Sequence, residues 1–352
     1  MLEELIRSKT MNLRSVAEIL PNTRVVLRID ADVPTENDAI LDNTRICKSL
    51  PTIKMLLEKQ CKIAIIGHRG RPNDREENLS LKPVYLELMT LLEPNGENLI
   101  ESIFIENPGD KENVDLALAK NQIVFLENLR FWKGEMNNDA DFLKGLVEVC
   151  QFYVNDAIAE SHRKARSIML YQNLPGFYGL SFIDEVEKML RAIENPERPL
   201  AVVLGGAKED KLDYVEDLAN MADYVLVGGR LPLMKNEELR IKNEKVIWAK
   251  LREDGLDLSD EDINKFRETI GKSKTIIWVG AMGKYEEEGC KKGTEEVAGA
   301  ITEGGLNYRI VAGGDTKASI KALGMEEKID LVCSGGGVTL ELLTKGKLPA
   351  WE

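Results

Sequence analysis

Short runs of β-branched and apolar residues recur along this chain, and they limit the folds open to it more than any other feature. They are Val25–Ile29, Ile63–Ile66, Ile123–Leu126, Phe152–Val154, Ala201–Leu204, Tyr224–Val227, Thr275–Trp278, Arg309–Ala312 and Leu331–Cys333. They read as strands with no polar alternation, which means burial on both faces. Longer stretches with helical spacing, such as Val114–Ala119 and Asp139–Val149, lie between them. Strand and helix alternating in this way predict an α/β protein built on parallel sheets. A length of 352 residues predicts two domains. The stretch Phe182–Pro199, apolar at Ile183, Val186, Leu190 and Ile193, reads as one amphipathic helix between the two series of strands and marks the domain connection.

The strand ends differ between the halves. In the first half they run into cations. Arg28 and Arg45 flank the first strand unit, Ile63–Ile66 leads to Gly67-His68-Arg69-Gly70-Arg71, Ile123–Leu126 leads to Arg130, and Phe152–Val154 leads to His162-Arg163. Ligands of parallel α/β sheets sit beyond the carboxyl ends of the strands, and guanidinium forks suit carboxylate and phosphate oxygens. In the second half the strands run into glycines: Gly205-Gly206-Ala207-Lys208, Gly228-Gly229, Gly280, Gly313-Gly314-Asp315-Thr316 and Gly335-Gly336-Gly337. Glycine permits close backbone approach, and N–H groups at helix starts attract phosphate. Singly, each Gly-Gly reads as a tight turn and each Arg as a solvated cap. Together they predict a small-anion site in one half and a nucleotide polyphosphate site in the other. There is no G-x-x-x-x-G-K-[ST] and no G-x-G-x-x-G after a strand, which excludes a P-loop enzyme and a dinucleotide oxidoreductase.

The net charge of −13 excludes the broad basic surface of a nucleic-acid binder, so anion binding must rest on local clusters. The five cysteines are scattered, without a C-x-x-C pair, which argues against a disulfide framework or zinc site and for a reducing compartment. With no apolar run of membrane-spanning length and no secretory character in Met1–Leu5, the expectation is a cytoplasmic protein without membrane partners.

The segments, in order, resemble phosphoglycerate kinase over nearly the whole chain. Arg28–Pro34 is similar to R-V-D-F-N-V-P and Gly67–Pro72 to S-H-L-G-R-P. Phe125–Phe131, Val154–Ala157 and Ser161–Arg163 match further blocks. So do Gly205–Lys208, Gly255–Asp257, Trp278–Gly280, Ala312–Thr316 and Cys333–Leu343. The resemblance implies two Rossmann-like parallel-sheet domains with a deep interdomain cleft and a hinge helix. It assigns 1–180 plus a C-terminal tail 338–352 to a triose-phosphate and carboxylate domain, and 181–337 to a nucleotide domain, with 181–199 as the interdomain helix. It implies that Asp30, Asp32, Arg45, His68, Arg71, Arg130 and Arg163 bind the substrate, and that Arg45 and Lys208 flank the phosphoryl group in flight. Gly206, Ala207, Lys208, Lys211, Gly228, Gly229, Gly255, Leu256, Glu286, Thr316, Gly335, Gly336 and Gly337 would bind the nucleotide, with Asp315 on Mg²⁺.

The activity implied is reversible phosphoryl transfer between ATP or ADP and the carboxylate of 3-phosphoglycerate, by charge neutralisation and domain closure in a monomer. A carboxylate nucleophile is already ionised, so no general base is needed. The chain departs from the family pattern at particular points. Asp32 replaces Asn, Ile158-Ala159-Glu160 replaces F-G-T, and the run to Lys211 is one residue short. Arg230 replaces a turn glycine, Val279 and Ala281 replace the Asn and Pro of W-N-G-P, and the segment between Arg230 and Gly255 is shortened. These leave two alternatives: a paralogous kinase for another small anionic carboxylate, or a non-catalytic triose-phosphate and nucleotide-binding protein. A nucleotide pocket filled by Arg230 and Val279 would count against either kinase reading.

Overall fold

A computed structural model of the chain describes residues 13–96, 99–234, 243–303, 305 and 308–349. Met1–Leu5, the end of the expected tail at 350–352, and part of the shortened segment after Arg230 lie outside the described residues.

The first unit holds β1 (Arg24–Arg28), a small antiparallel hairpin of β2 (Thr35–Glu36) and β3 (Ala39–Ile40), β4 (Lys62–Ile66), β5 (Ser102–Ile105), β6 (Ile123–Leu126), β7 (Phe152–Asn155) and β8 (Gly176–Tyr178). Apart from the hairpin these form one six-stranded parallel sheet in the order β5-β6-β4-β1-β7-β8. Val25 and Leu27 pack into the core on one face of the sheet and Val26 into the core on the other. Burial on both faces is why the middle of β1, Val25–Leu27, is continuously apolar. The strand order reverses between β1 and β7, so Ile29-Asp30 and Asp156 emerge side by side at that switch point.

The second unit holds β9 (Leu200–Leu204), β10 (Tyr224–Val227), β11 (Val246–Trp248), β12 (Thr275–Val279), β13 (Tyr308–Ala312) and β14 (Leu331–Cys333). They form a parallel sheet in the order β11-β10-β9-β12-β13-β14, with the reversal between β9 and β12. Counted along this unit, that is the 3-2-1-4-5-6 order of nucleotide-binding folds.

The expected strands are all present, and the structure adds β5, β8 and β11. Each of these lies at a sheet edge, is three or four residues long and is only partly buried. The expected helix Asp139–Val149 is shorter, Lys144–Val149, because Leu143 adopts φ 65° and breaks the helical path. The connecting helix runs Leu180–Glu194 and stops before Asn195-Pro196. The unit boundary falls inside it, at Val186/Glu187, and the second unit continues to Leu348. The helix Gly336–Lys345 therefore clusters with the second sheet, where Tyr214 donates to Glu341 at 2.8 Å, rather than with the first unit as the expected tail boundary had it.

The start of the connecting helix is fixed by the first unit. Phe182 N donates to Asp156 Oδ1 at 3.0 Å, Leu180 N to Thr52 Oγ1 at 2.9 Å, and Lys48 pairs with Glu185 at 3.0 Å. Lys48 and Thr52 lie on the helix Thr44–Glu58, one to two turns beyond Arg45, so the element carrying Arg45 also braces the connector. A Cβ at Gly179 would lie 2.2 Å from Asp156 Cγ, which ties that position to glycine.

Burial raises the Asp156 carboxyl to about 7, against the lowering pull of its bonds from Thr52, Phe182 and Ser181. The folded chain thus holds a proton that the unfolded chain releases near the ordinary carboxyl value of 3.8, and stability falls as pH rises between those values. Urea unfolding of wild type and Asp156→Asn from pH 4 to pH 8 is expected to show the variant gaining on wild type, by up to about 4 kcal/mol. A difference that does not change with pH would refute a protonated Asp156.

Candidate functional site

In the first unit the strand ends gather a buried cation cluster. Arg28, the last residue of β1, donates from Nε to Ser167 Oγ at 2.9 Å and from Nη2 to His68 Nδ1 at 3.2 Å. A guanidinium can only donate, so Nδ1 accepts and a neutral His68 carries its proton on Nε2. Burial first, then the guanidiniums of Arg28, Arg130, Arg163 and Arg45, hold the His68 pKa well below its ordinary value. His68 is therefore a neutral N–H donor at physiological pH. His68 Nε2 and Arg28 Nη1 are buried and have no hydrogen-bond partner. Unsatisfied buried donors are costly and mark a place where an acceptor belongs.

Arg45 Nη1 donates to Asp30 at 3.0 and 3.1 Å. Burial pushes the Asp30 carboxyl up, and Arg45 opposes that shift. Arg130 donates from Nη1 to Gly70 O at 2.6 Å and from Nη2 to Glu160 at 2.9 Å, and Arg163 Nε lies 2.8 Å from the same carboxylate. The Arg163 N–H is off the line of that contact, so the pair is ionic without a satisfied hydrogen bond. Asp32 accepts the Gly70 N–H at 2.8 Å, so its carboxylate braces the 67–72 loop. Arg69 is likewise committed to that loop, bonded to Ser80 O and Thr35. Arg71 is exposed and makes no hydrogen bond or ion pair among the described residues. A 610 Å³ cavity lined by Asp32, Thr35, Arg69 and Gly70 adjoins the loop.

In the second unit the switch point is built from backbone. Gly205 N donates to Val279 O at 2.9 Å, Gly206 N to Ala281 O at 2.8 Å and Arg230 N to Gly206 O at 2.9 Å. A Cβ at Gly280, φ 103°, would stand 2.2 Å from Gly205 O, and one at Gly229, φ 60°, 2.4 Å from Gly206 N. The strand ends touch only because these positions lack side chains.

Beside them lies a 360 Å³ cavity lined by Gly206, Ala207, Gly229, Leu256, Glu286 and Asp315, and also by Arg230, Ala281, Gly283, Lys284 and Tyr285. Arg230 forms part of the wall and leaves the cavity open. Val279 is fully buried, with its Cγ1 under the Gly336 helix start. Lys208 is exposed, at the start of a short 3₁₀ turn. Lys211 turns inward instead: its Nζ donates to Gly205 O at 2.6 Å and Val279 O at 3.3 Å, and burial, with Lys208 adding, lowers its pKa to about 8. The Thr316 hydroxyl is spent internally, accepting from Gly280 N at 2.7 Å and donating to Ala312 O at 2.9 Å. Gly228 is buried behind the turn, Gly255 is half-buried against Leu233, and Gly335–Gly337 open the helix Gly336–Lys345.

The sequence reading, which placed Asp30, Arg45, His68, Arg71, Arg130 and Arg163 at one site, meets a structure that gathers all of these except Arg71. It leaves out of the cluster two central members: Arg28, recognisable only as a strand-end cation, and Glu160, recognisable only as a departure from F-G-T. In the nucleotide half it leaves out Lys284 and Tyr285, which belong to no glycine turn.

A doubly wound sheet pair with an arginine pocket at one switch point and a glycine-walled cavity at the other defines a phosphotransferase class of site. A family model described as phosphoglycerate kinase matches residues 16–254 and 232–347. The phosphoglycerate kinase of Dictyoglomus turgidum is 34% identical over 381 aligned residues, covering 94% of this chain and 95% of that protein. The solved phosphoglycerate kinase of Coxiella burnetii superposes with a TM-score of 0.71 at 27% identity, covering 96% of this chain and 98% of that one. That of Pyrococcus horikoshii OT3 gives 0.74 at 26% identity, covering 94% and 95%. The chain belongs to the phosphoglycerate kinase family.

Proposed function

We propose that this chain catalyses reversible phosphoryl transfer between ATP and the carboxylate of 3-phosphoglycerate, acting as a cytoplasmic monomer. The observation that carries this reading is the set of buried, unpartnered donors, Arg28 Nη1 and His68 Nε2, inside a cluster that also contains Arg45, Arg130 and Arg163. Such a pocket receives a small polyanion, and its carboxylates Asp30 and Glu160 are paired with arginines, with no general base required by a nucleophile that is already ionised. Arg130, Arg163 and His68 hold the remote phosphate, and Arg45 orients the carboxylate end. The cavity at Gly206, Gly229 and Tyr285 takes the nucleotide, with Glu286 beside the ribose and the helix starts at Gly314 and Gly336 facing phosphate. Lys208, exposed at the start of its 3₁₀ turn, reaches the transferring group. A closing motion that joins the two sites belongs to the same reading, with the helix Leu180–Glu194 as the element it turns on.

Mg²⁺ fits the donors present. Asp315 supplies one hard carboxylate oxygen on the cavity wall, and among the described residues no group of three or more His, Cys, Asp or Glu is gathered into a protein-only cage. That suits an ion held by one carboxylate and nucleotide phosphates. Bound there, it neutralises charge on the phosphoryl oxygens. Asp315→Asn is expected to raise the Mg²⁺ concentration for half-maximal rate by about tenfold or more while changing KM for 3-phosphoglycerate little. The test of the reading is a coupled assay of ATP-dependent 3-phosphoglycerate phosphorylation. ATP consumption only with a different carboxylate, or none with any, would overturn it.

A further inference from the structure

Glu160 is held differently from three buried carboxylates of its unit. Glu127, Glu135 and Asp156 each accept a backbone N–H, which fixes them as structural. Among the described residues no backbone N–H donates to the Glu160 carboxylate. It is held by Arg130 at 2.9 Å and Arg163 at 2.8 Å, with His68 Nε2 3.9 Å away, and its side chain is 16% exposed. The backbone beneath it is fixed independently, because Ser161 accepts from Asn155 and donates to Ala157 O. Glu160 can therefore swing without moving its turn. The bonds it makes are also incomplete: the Arg163 N–H is off line, and His68 Nε2 has no acceptor within hydrogen-bond distance.

We propose that Glu160 is an exchangeable internal anion of this pocket, which holds the Arg130 and Arg163 guanidiniums in place and is displaced by the substrate's phosphate, so that it sets affinity and charge selectivity at the site. The proposal rests on the reading that this pocket takes a phosphorylated carboxylate. A tetrahedral dianion can satisfy donors that a planar monoanion reaches only in part, which allows the exchange. The cost of displacing Glu160 is subtracted from the binding free energy of every anion that enters, and a dianion also meets its repulsion most strongly.

The test is Glu160→Gln, which keeps an acceptor oxygen and removes the charge, with Glu160→Thr as a second variant. The Kd values of inorganic phosphate, 3-phosphoglycerate and ATP would be measured by calorimetry on the full chain, together with kcat and KM. Both variants are expected to bind phosphate and 3-phosphoglycerate about tenfold more tightly, with ATP affinity unchanged and KM for 3-phosphoglycerate falling more than kcat. Unchanged or weaker phosphate binding in both variants would overturn the proposal, as would failure of both to fold, since Glu160 would then be a structural counter-ion. If 3-phosphoglycerate neither binds nor turns over while phosphate shows the gain, the functional reading fails and the role of Glu160 stands. If 3-phosphoglycerate turns over normally while phosphate binding ignores the substitutions, only the role of Glu160 fails.

Discussion

Arg45→Ala is expected to lower kcat/KM for 3-phosphoglycerate by about 10³-fold or more, the scale on which arginines that neutralise a transferring phosphoryl group act. Arg45 sits at the second position of the helix Thr44–Glu58, half-buried, with its fork on Asp30. Its alkyl stem and charge place a donor at the switch point of the first sheet. On the proposed reading, removing it takes away charge where charge develops; it also leaves Asp30, already pushed up by burial, without its cation. Arg45→Lys separates these effects. It restores a charge near Asp30 and so most of the stability, but a single ammonium does not reproduce a planar fork. Rates are expected to stay at least about tenfold down in Arg45→Lys while the unfolding midpoint returns near wild type. A variant that unfolds but, when folded, turns over normally would show that Arg45 serves the fold alone.

Gly280→Ala is expected to be the most damaging single methyl addition in the second unit. The new Cβ would stand 2.2 Å from Gly205 O and 2.5 Å from Lys211 Nζ, at a φ of 103° that side chains rarely adopt. Separating the ends of β9 and β12 would break the Gly205–Val279 and Gly206–Ala281 hydrogen bonds that form the floor of the turn. The expected cost is about 3 kcal/mol or more, from strain and overpacking together, with ATP binding lost. Gly271→Ala is the control: nothing lies within 4 Å of its added Cβ, and it sits inside the helix Asp260–Lys272. There alanine is expected to stabilise by about 0.5–1 kcal/mol through helix propensity. Urea unfolding with nucleotide titration reads both. Equal effects at the two glycines would contradict a contact-limited switch point.

The central strands and the cation cluster were legible because the same physics produced both. Strands buried on two faces must be apolar throughout, so β1, β4, β6, β9 and β12 are visible without a partner sequence. Cations at their ends converge because parallel strands all point the same way. Three of the four edge strands escape that reading: β5, β8 and β11 are three or four residues long and only partly buried. Leu143 delays the start of a helix by its backbone conformation, which periodicity does not record. In the site, residue type and role separated. Asp32 read as substrate-facing but is bound to the loop it supports, and Thr316 spends its hydroxyl on Gly280. Lys211, in a run one residue short, turns into the strand ends. Glu160 was visible only as a mismatch, because its meaning lies in the groups gathered around it: Arg163 from its own turn, and Arg130 and the neutral His68 from two other strand ends.

The most direct measurement is ³¹P NMR of the chain with MgATP and 3-phosphoglycerate, run beside a panel of other small carboxylates. The expected result is ADP together with an acyl-phosphate resonance that needs 3-phosphoglycerate and disappears in Arg45→Ala. ATP split to inorganic phosphate without an acyl phosphate, or an acyl phosphate formed only on another carboxylate, would contradict the proposed reaction.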